Sequence, residues 1–506
     1  MKRKNYWLIM LIAIFVLGIG YAAISNITLL INGSATAAQG LTDDEFVVRY
    51  IKASDTESSY SGVASVASNP ASYVITKGTG NKATTTASAA VTNDTEATFT
   101  AADMEKGDHV TYTYYVANLS EEDVPAHVYV DVQNSSNSSL DYFTITATLE
   151  KTTLNVGDVS KVTVVVQCSD QKQLEEVSGT FVVKLVAGIN EDTNGQSSMS
   201  MGNSVLVTAS TPAEITAILS DATIANANIV LTDDIALTSL INASNGGTVN
   251  IDLNGNNINR SGAYAFNVTN GTDLVLKGEG NITTSGDGIN VENGTLTVDG
   301  PSLSTTRNGI NVAGTNSEVI INSGTITTPE AAIFAKNSGK VVINGGTITG
   351  NDNCAVMGNG TAGQGNTEIV MNGGTLVGHI QSAGYIACGV YLPNEGTFTM
   401  NGGEIQSDGA GIVMRGGVVN LNGGTITATG ATGVKGKVGD SNITVVPYAV
   451  VYEAKSQYPA YQTLELNVSN SAVLNGTDGA IATILGENMT ANITNNSSYS
   501  VTNITE

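Results

Sequence analysis

A short phrase returns through the second half of this 506-residue sequence and limits what the chain can fold into. It reads Asn344-Gly345-Gly346-Thr347-Ile348, then Asn372-Gly373-Gly374-Thr375-Leu376, Asn401-Gly402-Gly403-Glu404-Ile405 and Asn422-Gly423-Gly424-Thr425-Ile426. Looser copies precede it, among them Asn254-Gly255-Asn256-Asn257-Ile258 and Asn322-Ser323-Gly324-Thr325-Ile326. The closing aliphatic residue falls at Ile258, Ile282, Leu303, Ile326, Ile348, Leu376, Ile405 and Ile426, in steps of 24, 21, 23, 22, 28, 29 and 21 residues. A period in the twenties marks a solenoid, in which each repeat buries its apolar face only against its neighbours.

Strict alternation precedes each phrase, as in Val249-Asn250-Ile251-Asp252-Leu253 and Val419-Asn420-Leu421, and reads as a strand with one buried face. Asn-Gly is then expected to turn the chain, because Asn tolerates the left-handed region and Gly enters it freely. A second short strand follows Thr-Ile, for example Gly288-Ile289-Asn290-Val291, Gly309-Ile310-Asn311-Val312 and Gly411-Ile412-Val413-Met414. At least two strands per coil leave little room for a helix. The expected fold is therefore all-β, a right-handed parallel β-helix over residues 210–506. About nine or ten coils would make a rod on the order of 45 Å long.

The first part of the chain has no such repeat. Seven or so strand-like runs between residues 25 and 209, including Ile27 to Ile31, His109 to Val116, Ala126 to Val132 and Lys161 to Val166, suit an Ig-like Greek-key β-sandwich. The Ser/Thr/Ala-rich stretch from Tyr60 to Ala90 has weak patterning and is expected to be a loop, and residues 190–203 a polar linker. At the junction, Thr211-Pro212-Ala213-Glu214 forms a capping box with Pro at the first helical position. The helix it opens, over 211–221, presents Ile215, Ile218 and Leu219 on one face and is expected to cap the solenoid, whose end would otherwise expose strand edges.

A basic Met1 to Lys4 followed by an apolar run through Ile24 is the layout of a signal peptide or an N-terminal membrane anchor, with cleavage and retention both open. Either way the remainder is expected outside the cytoplasm, at the cell surface, secreted or tethered by the N-terminal segment. No apolar tail or Leu-Pro-x-Thr-Gly sorting signal ends the sequence, so no covalent wall anchor is expected there. The formal net charge of −24 argues against nucleic acid and anionic membrane surfaces, both of which attract Lys and Arg.

The Asn-Gly-Gly-Thr-Ile phrase and the capping helix resemble the pectate-lyase-like right-handed β-helix surface proteins of bacteria, over roughly residues 211–500. That fold hosts lyases, hydrolases, adhesins and passive stalks. Gly18-Ile19-Gly20-Tyr21-Ala22 with Ile27 to Gly33 is similar to exported proteins of Gram-positive bacteria. The following region, with Gly107-Asp108-His109-Val110-Thr111-Tyr112, is similar to the matrix-forming TasA/camelysin family, which implies a fibre-forming role.

Catalytic chemistry finds little footing in the sequence. The only His residues are His109 and His127, read as surface or strand-edge residues, and His379, in the first insertion, and no metal, nucleophile-elbow or phosphate-loop motif occurs. A pectate-lyase-like enzyme needs an acidic cluster for calcium and an Arg or Lys base, yet only Arg260, Arg307 and Arg415 fall in the solenoid. Aligning coils puts Arg307, Glu330 and Asp352 in one column, expected to be a stacked salt-bridge ladder, and Asp287 with Asn308 in another. Gly286-Asp287-Gly288 resembles the Asp-Gly of polygalacturonases, but that family's Asp pair, Gly-His-Gly and Arg-Ile-Lys are missing, so its catalysis does not carry over. No cofactor is expected, and calcium finds no motif.

Two further groups stand out. Cys354 and Cys388 each lie two residues before equivalent valines, Val356 and Val390, so they should stack as a disulfide or as adjacent thiols. Insertions near 377–389 and 427–463 interrupt the repeat, and the second carries Tyr448, Tyr452, Tyr458 and Tyr461, candidate binding residues for sugars or a protein partner. The sequence thus points to a non-enzymatic structural and adhesive surface protein whose partners are glycans, extracellular matrix or surface proteins. The rivals are an extracellular polysaccharide lyase or glycoside hydrolase, and a biofilm-matrix fibre subunit acting through the sandwich.

Overall fold

The structure, a computed structural model, describes residues 26–36, 48–51, 72–78, 85–93, 96–102, 104, 107–120, 125–134, 143–168, 178–188, 203–358, 366–380, 388–393, 395–430, 447–454 and 464–504. The apolar N-terminal segment 1–24, most of the polar linker 190–203, Tyr458 and Tyr461 lie outside the described residues. Contacts divide the chain into two compact units, Met1–Thr208 with Ala222–Val230, and Ala209–Asp221 with Leu231–Glu506. Among the described residues no helix is long and apolar enough to cross a membrane.

The protein is all-β, and its second unit is a long stack of mostly parallel strands that fits a β-helix. Most coils contribute three short strands separated by turns, one more than the sequence pattern required, and in Ile289–Ser304 and Ile310–Thr328 they run together into single long strands. The aliphatic residues that close the repeated phrase stand directly over one another, from Ile258 through Ile282, Leu303, Ile326, Ile348, Leu376 and Ile405 to Ile426. A second column runs from Phe266 through Ile289, Ile310, Ile333, Val356 and Val390 to Ile412. The third, from Val249 through Leu274, Leu296, Val319, Val341, Ile369 and Phe398 to Val419, comes from the alternating strand before each phrase. All three columns are buried and form the interior. Each such side chain contributes about 1.5–3 kcal/mol of burial free energy, which offsets the ordering of its coil.

The phrase itself divides its work among three residues. Asn344, Asn372, Asn401 and Asn422 were expected to enter the left-handed region, but there the positive φ falls on the second glycine, at 80° in Gly346 and Gly374, 87° in Gly403 and 86° in Gly424. Only the looser copy Asn254-Gly255 places its Asn there, with φ of 50°. The first glycine answers a different need: a Cβ on Gly345, Gly373, Gly402 or Gly423 would lie 2.3–2.8 Å from the carbonyl oxygen of the Asn one coil below. The Asn side chains are left to face solvent and pair vertically. Asn344 donates its amide to Asn322 at 2.9 Å, Asn372 to Asn344 at 3.0 Å, Asn401 to Asn372 at 2.9 Å and Asn422 to Asn401 at 2.9 Å.

At the start of the stack, Pro212–Leu219 is the predicted helix. Thr211 and Glu214 make the reciprocal capping box, and Ile215, Ile218 and Leu219 are buried. It packs against the strands Ile235–Leu237 and Ile241–Ala243, and the Leu219 carbonyl accepts from Ser244 N at 2.8 Å.

The described residues of the first unit form two sheets. Thr86–Asn93, Glu96–Ala102, Asn26–Thr36, Ser178–Gly188, Ala126–Asn134 and Thr153–Leu154 lie side by side in that order. In this sheet Asn26–Thr36 runs parallel to Ser178–Gly188, an unusual pair among antiparallel neighbours. In the other sheet His109–Asn118 pairs antiparallel with Val48–Ile51, Ser72–Thr76 and Val159–Cys168. Tyr112, Tyr114, Phe143, Val164, Val130 and Val183 share one buried cluster with Cys168. Ser72–Thr76 and Thr86–Asn93 correct the loop expected from Tyr60 to Ala90. Their patterning is hard to see in sequence because the consecutive Tyr73 and Val74 are both exposed and Thr86–Asn93 is built mostly of small residues.

The Gly402→Ala variant should lose about 1–3 kcal/mol, because its methyl group would lie 2.7 Å from the Asn372 carbonyl oxygen of the coil below and must push it aside. Urea unfolding measures this, and an unchanged midpoint would refute the close-approach role of the first glycine.

Candidate functional site

Of the tyrosines singled out in the second insertion, Tyr448 and Tyr452 do not present a binding face. Tyr448 and Tyr452 lie in the strand Tyr448–Ala454, 6% and 1% exposed. Tyr452 sits in register with Met414, donates its hydroxyl to the Leu464 carbonyl at 2.8 Å and accepts from Asn492 N at 2.9 Å. Burial, and after it the Glu465 carboxylate, push the Tyr452 phenol above its ordinary pKa against the opposing Asn492 bond. Tyr448 packs with Val413, Val451 and Ala482. Both residues hold a coil together. The expectation that they bind a ligand is corrected, and alternation of Tyr448, Val450 and Tyr452 was the sequence signal for a strand.

Cys354 and Cys388 stand in register in adjacent coils and form a disulfide with Cα atoms 4.5 Å apart. Both are fully buried. The bond ties together two coils separated in sequence by part of the first insertion.

Several charged side chains on the stack pair between coils. Lys340 meets Glu318 at 3.1 Å and His379 meets Asp408 at 2.9 Å. Arg415 and Glu453 make a buried pair at 2.5 Å, and Arg415 also donates to the Tyr391 hydroxyl at 3.0 Å. Arg307 reaches Glu330 at 3.6 Å in the coil above and Asp287 at 4.0 Å in the coil below. The turn that aligns these residues is repeated: the Thr305 hydroxyl donates to the Arg307 carbonyl and that of Thr328 to the Glu330 carbonyl, each at 2.8 Å. Asp352, in the coil above Glu330, donates its backbone N–H to the His379 carbonyl at 2.6 Å. In the neighbouring column Asn308 donates from both its backbone and its side chain to Asp287, at 3.1 and 3.2 Å. His109 and His127 lie in strands of the first unit, half-buried, with His127 facing the Thr153 hydroxyl at 3.4 Å.

The most unusual constellation lies beside Arg307 and escaped the sequence reading. Tyr264 has φ of 60°, a left-handed conformation that is an outlier for a bulky residue and costs about 1–3 kcal/mol. Its surroundings over-determine it. The Arg260 guanidinium donates to the carbonyls of Ala263 and Tyr264, and Tyr264 N donates to the Asp287 carbonyl at 2.6 Å. A Cβ on Gly286 would come within 2.9 Å of Ala263, so only glycine lets that turn sit where it does. Thus held, the Tyr264 hydroxyl accepts from the Asn311 amide at 3.0 Å. Burial first, then the Asp287 carboxylate, raise the Tyr264 pKa, so the phenol stays protonated. The Asn311 Oδ1 is buried without a hydrogen-bond partner, an arrangement that costs about 1–3 kcal/mol. No spacing motif announces this group. Its only sequence signal is a lone Tyr in a Gly/Ala turn two coils below an Asn.

Among the described residues no group of three His, Cys, Asp or Glu side chains is placed to hold a metal ion. Comparison with protein-family models, with curated proteins and with solved structures finds no match to the chain.

Tyr452→Phe should destabilise the protein by about 1–2 kcal/mol, since it removes the hydroxyl that bridges the Leu464 carbonyl and the Asn492 N–H. Chemical denaturation reads the loss, and a neutral result would return Tyr452 to the surface.

Proposed function

We propose that this protein is a cell-surface structural and adhesive molecule, whose second unit is a right-handed, pectate-lyase-like β-helix that displays lateral features to glycans, matrix or surface proteins. The observation that carries this reading is the pairing of charged side chains between coils. Lys340 with Glu318, Arg307 with Asp287 and Glu330, and Arg415 with Glu453 are each spent on joining one coil to the next. A polysaccharide lyase or hydrolase instead needs carboxylates and a base converging on one groove. The outer Asn ladder supports the same reading, because it fixes successive coils at one separation along the stack.

On this reading the N-terminal apolar segment exports or tethers the chain, and the first unit is a β-sandwich. Its two sheets around one cluster favour a sandwich over a second solenoid. The disulfide between Cys354 and Cys388 favours an oxidising, extracytoplasmic location.

Purified protein incubated with immobilised glycans and with acidic polysaccharides in the presence of calcium should be retained by some glycans without shortening any of them. Release of shorter or unsaturated oligosaccharides would make the protein an enzyme and sink this reading.

A further inference from the structure

A second amide ladder runs up another face of the stack and breaks at one place. Asn267 donates to Asn242 at 3.1 Å, and Asn290 donates to Asn267 at 2.8 Å. Asn311 is next in register above Asn290, and the same geometry would let it continue the series. Instead its Nδ2 turns to the Tyr264 hydroxyl, which comes from the coil below Asn290. Asn311 is 6% exposed, and its Oδ1 meets no donor. Turning the amide over would only exchange the orphaned oxygen for an orphaned N–H.

Two costly features therefore meet at one point, a left-handed tyrosine and a buried amide with an unmet hydrogen-bonding atom. Neither is needed to continue the coil: Asn267 and Asn290 stay in the ladder, and Asp287 and Asn308, which follow Tyr264 in its own column, keep a negative φ. Around the Tyr264 hydroxyl stand Asn311 and Asp287, and Asp287 is flanked by Arg307 and Asn308. Unsatisfied buried groups and strained backbone gather at ligand sites, where the partner completes them.

We infer that Tyr264, Asp287, Arg307 and Asn311 form a binding station for an uncharged saccharide, one hydroxyl of which completes the Asn311 amide while its neighbour meets the Asp287 carboxylate. This rests on the reading of the stack as a glycan-displaying surface and gives that reading a place and a ligand class. A sugar hydroxyl both donates and accepts, so it satisfies the amide in either orientation. A purely cationic or purely anionic group satisfies only one. Charge decides among sugars. Arg307 lies between two carboxylates, Asp287 and Glu330, so the cluster carries a net charge of about −1 and repels uronic acids.

The test uses the full-length protein and calorimetric titration with neutral tetrasaccharides of β-glucan, galactan and mannan, and with tetragalacturonate. Wild type should bind at least one neutral tetrasaccharide and bind tetragalacturonate more weakly. Tyr264→Phe and Asn311→Leu should each weaken that binding about ten-fold or more, the loss of one hydrogen bond to a buried group. Asn267→Ala, in the unbroken part of the ladder, should leave it unchanged. Asn311→Leu should keep or raise the thermal midpoint while losing the sugar, a combination that a purely structural Asn311 would not give. Neutral-sugar binding that survives in both variants overturns this station and leaves the adhesive reading standing. Tighter binding of tetragalacturonate overturns the ligand class, and wild type that binds none of the four probes overturns the station outright.

Discussion

Everything in the second unit depends on the backbone hydrogen bonding of each coil to the next at one fixed register. A slip of one residue would turn Ile326 or Ile348 outward and Thr327 or Thr349 inward, exchanging a buried aliphatic column for a hydroxyl column. The penalty, repeated along a strand, leaves one register. Insertions survive only where they leave the strands untouched. Val390 still stacks on Val356, and Val450 on Ile412, although long segments intervene in both places.

Once register is fixed, each outward position has the same neighbours above and below, and side-chain choice becomes a matter of columns. One outward column begins with Asn242, Asn267, Asn290 and Asn311 and continues as Phe334, Met357, Tyr391, Val413 and Val451. Its lower part is a chain of amides, and its upper part belongs to a second apolar layer outside the coil, where Val413 and Val451 are buried. The Arg415–Glu453 pair lies at this upper end, 4% and 0% exposed. A pair in that setting gains little over two apolar residues, but removing one partner alone strands a buried charge at a cost of about 3–5 kcal/mol.

Much of the solenoid was legible because its signal is geometric. The eight aliphatic residues spaced by 21 to 29 positions are the eight that stack, despite the uneven steps. The paired cysteines were legible for the same reason, since equivalence to Val356 and Val390 fixes their height. Conformation was harder to read. Asn tolerates a left-handed turn, so Asn344 and its equivalents drew that role, whereas the vertical hydrogen bond between amides holds them in place and leaves the turn to Gly346. Tyrosine is ambiguous in another way, because its ring suits a core and its hydroxyl suits a surface. Tyr452 satisfies both from inside, and Tyr264 does so through a backbone angle that no spacing encodes.

The Asn ladders have a direction. From Asn344 to Asn422 each amide N–H points toward the earlier coil and each amide oxygen toward the later one, and Asn267 and Asn290 point the same way. Asn281 and Asn257 do so as well, ending on Asp234, whose carboxylate only accepts and so sets the sense of that series. Aligned dipoles in a hydrogen-bonded chain polarise one another, so each link strengthens the rest. Reversing a single amide would set oxygen against oxygen on one side and N–H against N–H on the other. Such a chain holds its orientation as a whole, and the stack is electrically polar along its length even where it carries no charge.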